Sequence, residues 1–571
     1  MHKAKIFLFL ALLSIILSST ALGNDYFLFD MENNKIWFMD HNSINFEEKL
    51  EMEKNPNFIM KTIDPQKYLT VFVPESEKVK GNREKKYTAG QLTVFNVASG
   101  RTEDVVEIGF SPLRWAYTED RKHFFISYKV EPNKDIYEIL HYDIPNMKTE
   151  KINSEPVNGF GFSYDEQTVY ALITGKPADK IPGKIVAYNF SPLKEQHQID
   201  TVNNPQKLYA VGPAQLVVLD YDNPPLFNRQ ACSGAIKLLR SDDLSLIEED
   251  TFEKPYQISP NWYADKHLLI VAVNDKFTSL LAKNRKSLVY KVDANGLKQN
   301  KLETRWVDCD YIEDKDTVYL LKERSLQVID YRNNLAKEVE TNSNVYSSSS
   351  GNTSYYNFML LPDSHLAVMY CVAGGRVRFF DTNTNELIKD VTFGRTGVKV
   401  AQGVFNLLLN AAANYGSYSY SYYNYFPTEL SVSTDPDKTK FYILNTATGD
   451  ITVYNNSYDR LTYLIPPETP LGMYSIKKPK IQTLVTTKQK IYRLDYTTGA
   501  LEEIYKFKEP VRDTNLFEDN NRLILLSNNE LITIDPATLQ IKNSFQLFGD
   551  AKEKYTKLKK GQPHFYFIPS L

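Results

Sequence analysis

The sequence predicts an all-β fold, a β-propeller built of four-stranded antiparallel blades. Three observations support this prediction: an apolar strand motif recurs along the chain, its copies are about one blade apart, and aromatic residues are abundant. The chain has 571 residues, of which 42% are hydrophobic and 13% aromatic, with 38 tyrosines. Aromatic side chains suit the half-buried faces of strands, and a chain of this length can bury two cores.

The repeated unit is five residues long: apolar, any residue, apolar or aromatic, apolar, and then Asp or Asn. Ten of its eleven copies end in Asp or Asn, and the other ends in Arg. Successive copies are about 50 residues apart on average, which is the period of a propeller blade. In chain order, the copies end at Asp40, Asn96, Asp143, Asn189, Arg240, Asp293, Asp330, Asp381, Asn455, Asp495 and Asp535.

Each copy predicts a β-hairpin. The apolar run forms a strand, the Asp or Asn side chain accepts hydrogen bonds from backbone amides just beyond it, and the chain returns as a second strand. Two further strand-like runs precede most hairpins, as in "FMLLPDSHLAVMY" before Asp381. Four short strands cannot cover their own apolar faces, so such blades stack around an axis. Helical repeats would need a 3.6-residue pattern, which this sequence lacks.

The hairpin resembles the YVTN and quinoprotein-like propeller repeats, in which D-x-x-T-G links the third and fourth strands of a blade. Residues Asp495–Gly499, "DYTTG", match this pattern, and "DPATLQ" from Asp535 is a looser match. The resemblance covers residues 26–549 and implies the fold alone. Tyr505 stands where many quinoprotein repeats have a closing tryptophan. We therefore do not infer quinone binding from the resemblance, and we expect no cofactor.

Residues 1–23 have the pattern of a cleaved signal peptide. Basic residues precede a short apolar run, and Ala21 and Gly23 then lie two positions apart, as signal peptidase requires. A retained membrane anchor is the alternative, which the shortness of the run disfavours. We therefore expect a secreted or periplasmic protein with no transmembrane segment after the signal peptide.

Seven copies of the motif precede residue 345, and four copies follow it, with one long spacer between Asp381 and Asn455. The simplest division is a seven-bladed propeller at 24–345 and a second propeller-like domain at 346–571 with Tyr/Ser-rich insertions. A single large ring, or two rings that exchange terminal strands, are the alternatives.

Two insertions rich in tyrosine and serine are the predicted ligand-binding segments. Each lies between the fourth strand of one blade and the first strand of the next, on the face that usually holds the ligand site in the families that this sequence resembles. Three of the tyrosines alternate with serines, so an extended segment would present their rings on one side. The predicted residues are Tyr415, Tyr418, Tyr420, Tyr422, Tyr423, Tyr425, Tyr346, Tyr355 and Tyr356.

Rigid tyrosine rings beside small polar residues make an adaptable contact surface. We therefore expect a protein, peptide or carbohydrate partner outside the cytoplasm; in the alternative, the rings fold onto their own blades. Lysine-rich connections between second and third strands, at residues 74–90 and 274–287, could attract an anion or be plain solvated surface. The net charge of −3 gives no reason to expect nucleic acid.

The sequence singles out no catalytic and no metal-binding residue. The histidines are scattered, the three cysteines fit no zinc site, and nucleophile elbows and phosphate-binding glycine loops are absent. We therefore expect an exported, non-catalytic binding protein. The alternative is a propeller enzyme, such as a lactonase, another hydrolase or a quinone-dependent dehydrogenase, with its site at the central channel.

Overall fold

The protein is described from a computed structural model. Statements about the structure refer to the residues whose placement it defines. These are 25–30, 35–40, 47–51, 57–73, 77–78, 85–86, 88–175, 181–190, 192–201, 203–221, 233–253, 255–275, 287–302, 306–312, 315–322, 326–333, 335–339, 357–361, 365–371, 376–392, 431–445, 449–477, 479–511, 514–519, 522–527, 530–546 and 564–568.

The described residues form eleven four-stranded antiparallel sheets in a propeller arrangement, which confirms the predicted fold class. We number these sheets blades 1 to 11 in chain order. In blades 2 to 11 the four strands pair in sequence order, from the first strand at one edge of the sheet to the fourth at the other. The chain separates into two compact units, and the predicted boundary at residue 345 stays a prediction.

The first unit comprises Met1–His41, Phe46–Thr304 and Gly561–Leu571 and holds blades 1 to 6. A one-turn 3-10 helix, Ala264–Lys266, follows β22. The strands of this unit, apart from one near the C-terminus, are β1 Asp25–Asp30, β2 Lys35–Met39, β3 Glu47–Glu51, β4 Phe58–Lys61, β5 Lys67–Phe72, β6 Glu77–Lys78, β7 Lys85–Lys86, β8 Gly90–Asn96, β9 Arg101–Ile108, β10 Phe110–Tyr117, β11 His123–Lys129, β12 Tyr137–Asp143, β13 Lys148–Ser154, β14 Val157–Phe162, β15 Thr168–Ile173, β16 Lys184–Phe190, β17 Leu193–Asp200, β18 Pro205–Gly212, β19 Gln215–Tyr221, β20 Ser233–Arg240, β21 Leu246–Glu253, β22 Pro255–Tyr263, β23 Leu268–Asp275, β24 Ser287–Asp293 and β25 Gly296–Leu302.

The second unit comprises Asn42–Asn45 and Arg305–Lys560 and holds blades 7 to 11. Its strands are β26 Trp306–Ile312, β27 Thr317–Lys322, β28 Leu326–Asp330, β29 Leu335–Val339, β30 Asn357–Leu361, β31 Leu366–Cys371, β32 Arg376–Asp381, β33 Glu386–Thr392, β34 Ser431–Thr434, β35 Lys440–Asn445, β36 Asp450–Asn455, β37 Arg460–Leu464, β38 Pro470–Ile476, β39 Gln482–Thr487, β40 Lys490–Leu494, β41 Leu501–Lys506, β42 Thr514–Asp519, β43 Arg522–Ser527, β44 Glu530–Ile534 and β45 Ile541–Gln546.

Blade 1 is assembled from both ends of the sequence. The last strand, β46 (His564–Ile568), pairs antiparallel with β1, with Tyr26 opposite Phe567. Strands β2 and β3 complete the sheet in the order β46, β1, β2, β3. The C-terminal strand therefore serves as the first strand of blade 1, a pairing that sequence analysis did not find.

All eleven copies of the sequence motif coincide with the third strand of a blade. At eight of the ten copies that end in Asp or Asn, this side chain opens the turn to the fourth strand as predicted, because its Oδ1 atom accepts a hydrogen bond from a backbone N–H two or three residues on. This bond is present at Asn96, Asp143, Asp293, Asp330, Asp381, Asn455, Asp495 and Asp535. After Arg240, the exception, Asp243 accepts from the N–H of Ser245 instead.

The turn bonds allow a direct test at Asn455, whose Oδ1 accepts from the N–H groups of Ser457 at 3.0 Å and Asp459 at 2.8 Å. Replacing Asn455 by alanine should lower the free energy of unfolding by about 1 kcal/mol, since the acceptor is lost. N455D keeps an acceptor oxygen and should retain most of the stability. Urea unfolding of both variants measures the difference, and equal losses would contradict this account of the turn.

The core lies between blades, as the stacking argument requires. Between blades 2 and 3, for example, Leu69 and Val94 pack in one buried cluster with Phe124 and Leu140. Similar clusters join blades 4 and 5, blades 8 and 9, and blades 10 and 11. Each blade therefore depends on its neighbours to remove its apolar faces from water.

Candidate functional site

The nine tyrosines predicted to bind a ligand lie outside the described residues, so their role stays a prediction. The strands that bound them are described. Residues 393–430 connect β33 to β34, and residues 340–356 connect β29 to β30. Each segment therefore runs from the fourth strand of one blade to the first strand of the next.

Within the described residues, four aromatic side chains of the first unit form a second candidate site, which we call the aromatic cluster: Tyr164, Tyr209, Trp262 and His267. Tyr209 lies on β18 and Trp262 on β22, the first strands of blades 5 and 6. Tyr164 and His267 lie in the turns that follow the first strands of blades 4 and 6. The cluster thus joins three blades on or just after their first strands.

The four rings form a continuous chain. Tyr209 stacks on Trp262 with ring centroids 4.8 Å apart and an interplanar angle of 24°. Trp262 meets His267 edge-on at 6.2 Å, and His267 contacts Tyr164 at 4.3 Å. These separations are within or close to the range in which aromatic pairs attract each other.

His267 is held by its backbone and its ring. It follows the 3-10 helix in the left-handed region, with φ of 48°, and its N–H donates to the carbonyl oxygen of Ala264. Its Nδ1 lies 3.1 Å from the carbonyl oxygen of Ala210. Because a carbonyl oxygen only accepts, Nδ1 carries a hydrogen, and Nε2 of the neutral ring is then an acceptor.

The cluster is accessible at its surface. Tyr164 is 43% exposed, and the other three side chains are partly buried. Burial raises the pKa of Tyr209 to about 12, so its hydroxyl group remains protonated at neutral pH. The cluster therefore combines flat apolar ring surfaces with polar tips, the pairing that makes Tyr and Trp frequent at binding surfaces.

Close contact between first strands gives the cluster a firm base. A Cβ atom at Gly161 on β14 would lie 2.5 Å from Cδ2 of Leu208 on β18, so glycine permits this approach. Asn158 Nδ2 donates to the carbonyl oxygen of Pro205 at 3.1 Å, and Arg114 Nε donates to that of Asn158 at 2.8 Å. These bonds tie together the first strands of blades 3, 4 and 5.

The predicted lysine-rich connections do lie between second and third strands. In the first, β6 and β7 pair as a small hairpin between β5 and β8. The second joins β23 to β24, and its residues 276–286 lie outside the described part. Anion binding by either connection stays a prediction.

In the described part of the chain, no group of three or more His, Cys, Asp or Glu side chains is arranged to hold a metal ion. The same residues include no helix long and apolar enough to span a bilayer. The predicted signal peptide lies outside these residues, and the catalytic alternative stays untested.

Comparison with known proteins finds distant structural similarity and no match in sequence. No family model and no curated protein matches the sequence. Among solved structures, dihydro-heme d1 dehydrogenase NirN is 13% identical with a TM-score of 0.32, covering 75% of this chain and 72% of that one. Kuenenia stuttgartiensis hydrazine synthase is 12% identical with a TM-score of 0.31, covering 71% and 98%. BamB from Moraxella catarrhalis is 8% identical with a TM-score of 0.28, covering 65% and 92%.

The eleven four-stranded sheets of the structure itself confirm the predicted resemblance to β-propeller proteins at the level of the fold. Identities and TM-scores this low support no inference about ligand or activity. Any inference about the function of this chain must therefore be drawn from its own residues.

Sequence analysis missed the aromatic cluster, although a signal for it exists. Tyr164, Tyr209 and Trp262 are separated by about one blade each, at or just after the first strands of blades 4, 5 and 6. The motif that marks third strands does not extend to first strands, so these three positions were not aligned with one another.

Proposed function

We propose that the protein is an exported β-propeller recognition protein that binds an extracytoplasmic protein, peptide or glycan through aromatic side chains. The observation that carries the proposal is the aromatic cluster, in which four partly exposed rings from three blades meet. Export is supported by the signal-peptide pattern in the sequence.

The geometry suits recognition for a physical reason. Trp and Tyr side chains supply large contact areas with few rotatable bonds, so little conformational entropy is lost when a ligand covers them. Here the rings lie on strands and tight turns rather than on long loops, so their positions are set before binding. The polar tips of Tyr164 and His267 can fix the orientation of a ligand.

The tyrosine-rich connections would add a second surface of the same chemistry. Each tyrosine-rich connection precedes the N-terminal end of a first strand. The aromatic cluster, in contrast, lies towards the C-terminal ends of first strands. The two surfaces also belong to different units. Each therefore needs its own test.

The aromatic cluster can be tested by removing its most exposed ring. Y164S should weaken binding at least fivefold while the melting temperature changes little, because Tyr164 is 43% exposed. The matched control is Y117S, since Tyr117 is 39% exposed on β10 but lies outside the cluster. Binding is measured by calorimetry against a panel of soluble oligosaccharides and extended peptides.

Equal losses in Y164S and Y117S, or no binding by the wild-type protein to any probe, would contradict recognition at this cluster. A triple variant, Tyr418, Tyr420 and Tyr422 to serine, tests the tyrosine-rich connection in the same assay. A large fall in its melting temperature would assign those rings to packing instead.

A further inference from the structure

Two histidines that are not members of the aromatic cluster lie between blades 3 and 4. His123 is on β11 and His141 on β12, on the side that faces blade 4. His141 is 3% exposed, and its ring stacks on that of Phe125 at 4.8 Å and 13°. Phe190, from blade 4, contacts both histidine rings, at 4.8 Å and 5.5 Å. The pair is thus part of the packing between the two blades, which we call the seam.

The two imidazoles share one hydrogen bond, with Nδ1 of His123 3.0 Å from Nε2 of His141. The other nitrogen of His141, Nδ1, is buried and has no hydrogen-bond partner among the described residues. An unpaired buried acceptor costs less than an unpaired buried N–H. The favoured neutral arrangement therefore has the Nε2–H of His141 donating to Nδ1 of His123.

Adding a proton to this neutral pair is unfavourable at the Nδ1 atom of either ring. A proton on Nδ1 of His141 would create a buried, charged N–H facing no acceptor. A proton on Nδ1 of His123 would set two N–H groups against each other, unless His141 changed tautomer and again buried an unpaired N–H. A metal ion between the rings would force the same tautomer on His141.

The charged groups around the pair include carboxylates that favour a positive charge, but they offset only part of the cost of burying it. On blade 3, Asp143 is opposite His123 and Glu150 opposite His141 in the strand register, and Asp120 and Lys122 lie in the preceding turn. Blade 4 presents Phe190 and the neutral phenol of Tyr188. Glu150 is also engaged with blade 4, because its Oε2 accepts from the backbone N–H of Leu193.

Burial is accordingly the main cause that lowers the pKa of both rings, and His123 adds to the effect on His141, whose pKa falls to about 4. An exposed histidine has a pKa of about 6.5. The open seam therefore takes up protons at a higher pH than the closed seam does. The stability of the closed seam is complete above about pH 6.5 and is lost as the pH falls towards 4.

We propose that the His123–His141 pair is a proton-operated device that loosens the packing of blade 3 against blade 4 in an acidic environment. Proton uptake is coupled to opening because only an opened seam lets water solvate the imidazolium. This inference does not depend on the recognition function.

Hydrogen–deuterium exchange tests the proposal. Amides of β11, β12 and β16 should exchange roughly 50-fold faster at pH 4.5 than at pH 7, after correction for intrinsic rates, because proton uptake favours the open seam by that factor. H141F keeps a ring on Phe125 but cannot titrate, so its protection should change only a few-fold. H197Q is the matched control, since His197 is exposed on the outer strand β17, and it should behave as the wild-type protein.

Equal acid sensitivity in H141F and the wild-type protein would overturn the proposal, as would a loss of protection spread evenly over all blades. If H141F fails to fold, the same exchange experiment on H141Q can replace it. An NMR titration of the imidazole groups in the wild-type protein then tests the proposal independently. A buried histidine that takes up its proton near pH 6.5 with the seam closed would contradict the device. Stronger protection at pH 7 on adding Zn²⁺ alone, lost in H141Q, would assign the pair to metal binding instead.

Discussion

Replacing Asp25 by alanine is expected to lower the free energy of unfolding by roughly 3–5 kcal/mol. Asp25 lies on β1 of blade 1 and is buried. Its Oδ2 accepts hydrogen bonds from Nζ of Lys61 and from the hydroxyl of Tyr68, each at 2.6 Å, and both partners belong to blade 2. D25A leaves the buried Lys61 ammonium without its counter-charge, and that uncompensated charge is the source of the loss.

The hydroxyl of Tyr68 also loses its acceptor. Burial raises the pKa of Tyr68, so this group stays protonated and needs a partner. Urea unfolding at pH 7 measures the effect. The double variant D25A/K61M removes both charges and should recover most of the loss, because a buried pair adds little beyond an apolar replacement.

The surface pair Glu131–Lys134 provides the control for Asp25, since both side chains are about half exposed. E131A should change the free energy of unfolding by no more than about 1 kcal/mol. A loss in D25A as small as that in E131A would show that the Asp25–Lys61–Tyr68 group does not hold blades 1 and 2 together.

The second large effect is expected in the other unit, where F379A should cost roughly 3–5 kcal/mol. Phe379 is fully buried on β32, the third strand of blade 8. Its ring lies 5.3 Å from that of Tyr454 and 4.7 Å from that of Tyr458, with Phe441 at 6.4 Å, and all three belong to blade 9. Truncation would leave a cavity between two blades that cannot close their faces alone.

Thermal and urea unfolding of F379A measure this loss. F379L fills most of the volume and should cost less than about 1.5 kcal/mol. Y463A, on the outer strand β37, removes a ring outside the buried core and should have a small effect. If F379A and F379L lost the same stability, the packing between blades 8 and 9 would not be the cause.

The third strands were predictable because two signals coincide there. A run of alternating or fully apolar residues ends in an Asp or Asn whose side chain builds the next turn, and both signals are local. The pairing of β46 with β1 was not predictable by this means. Its partners, such as Tyr26 and Phe567, are at opposite ends of the sequence, and no turn residue between them records the contact.

The candidate sites also divide into those that local sequence reveals and those that only the fold brings together. The tyrosine-rich connections attract attention through composition alone, whereas the aromatic cluster is built from single residues on separate strands. His123 and His141 look scattered in the sequence. They meet because β11 and β12 are antiparallel partners, in which Phe125 is opposite His141 and His123 opposite Asp143.

The pairing of β46 with β1 has a consequence for the synthesis and folding of the protein. Strand β1 is synthesised long before β46, so the edge of β1 stays unpaired until β46 has emerged. During that interval the edge can recruit a strand from another nascent chain, which is a route to aggregation. Cells that make this protein therefore gain from keeping its chains apart until β46 has paired with β1.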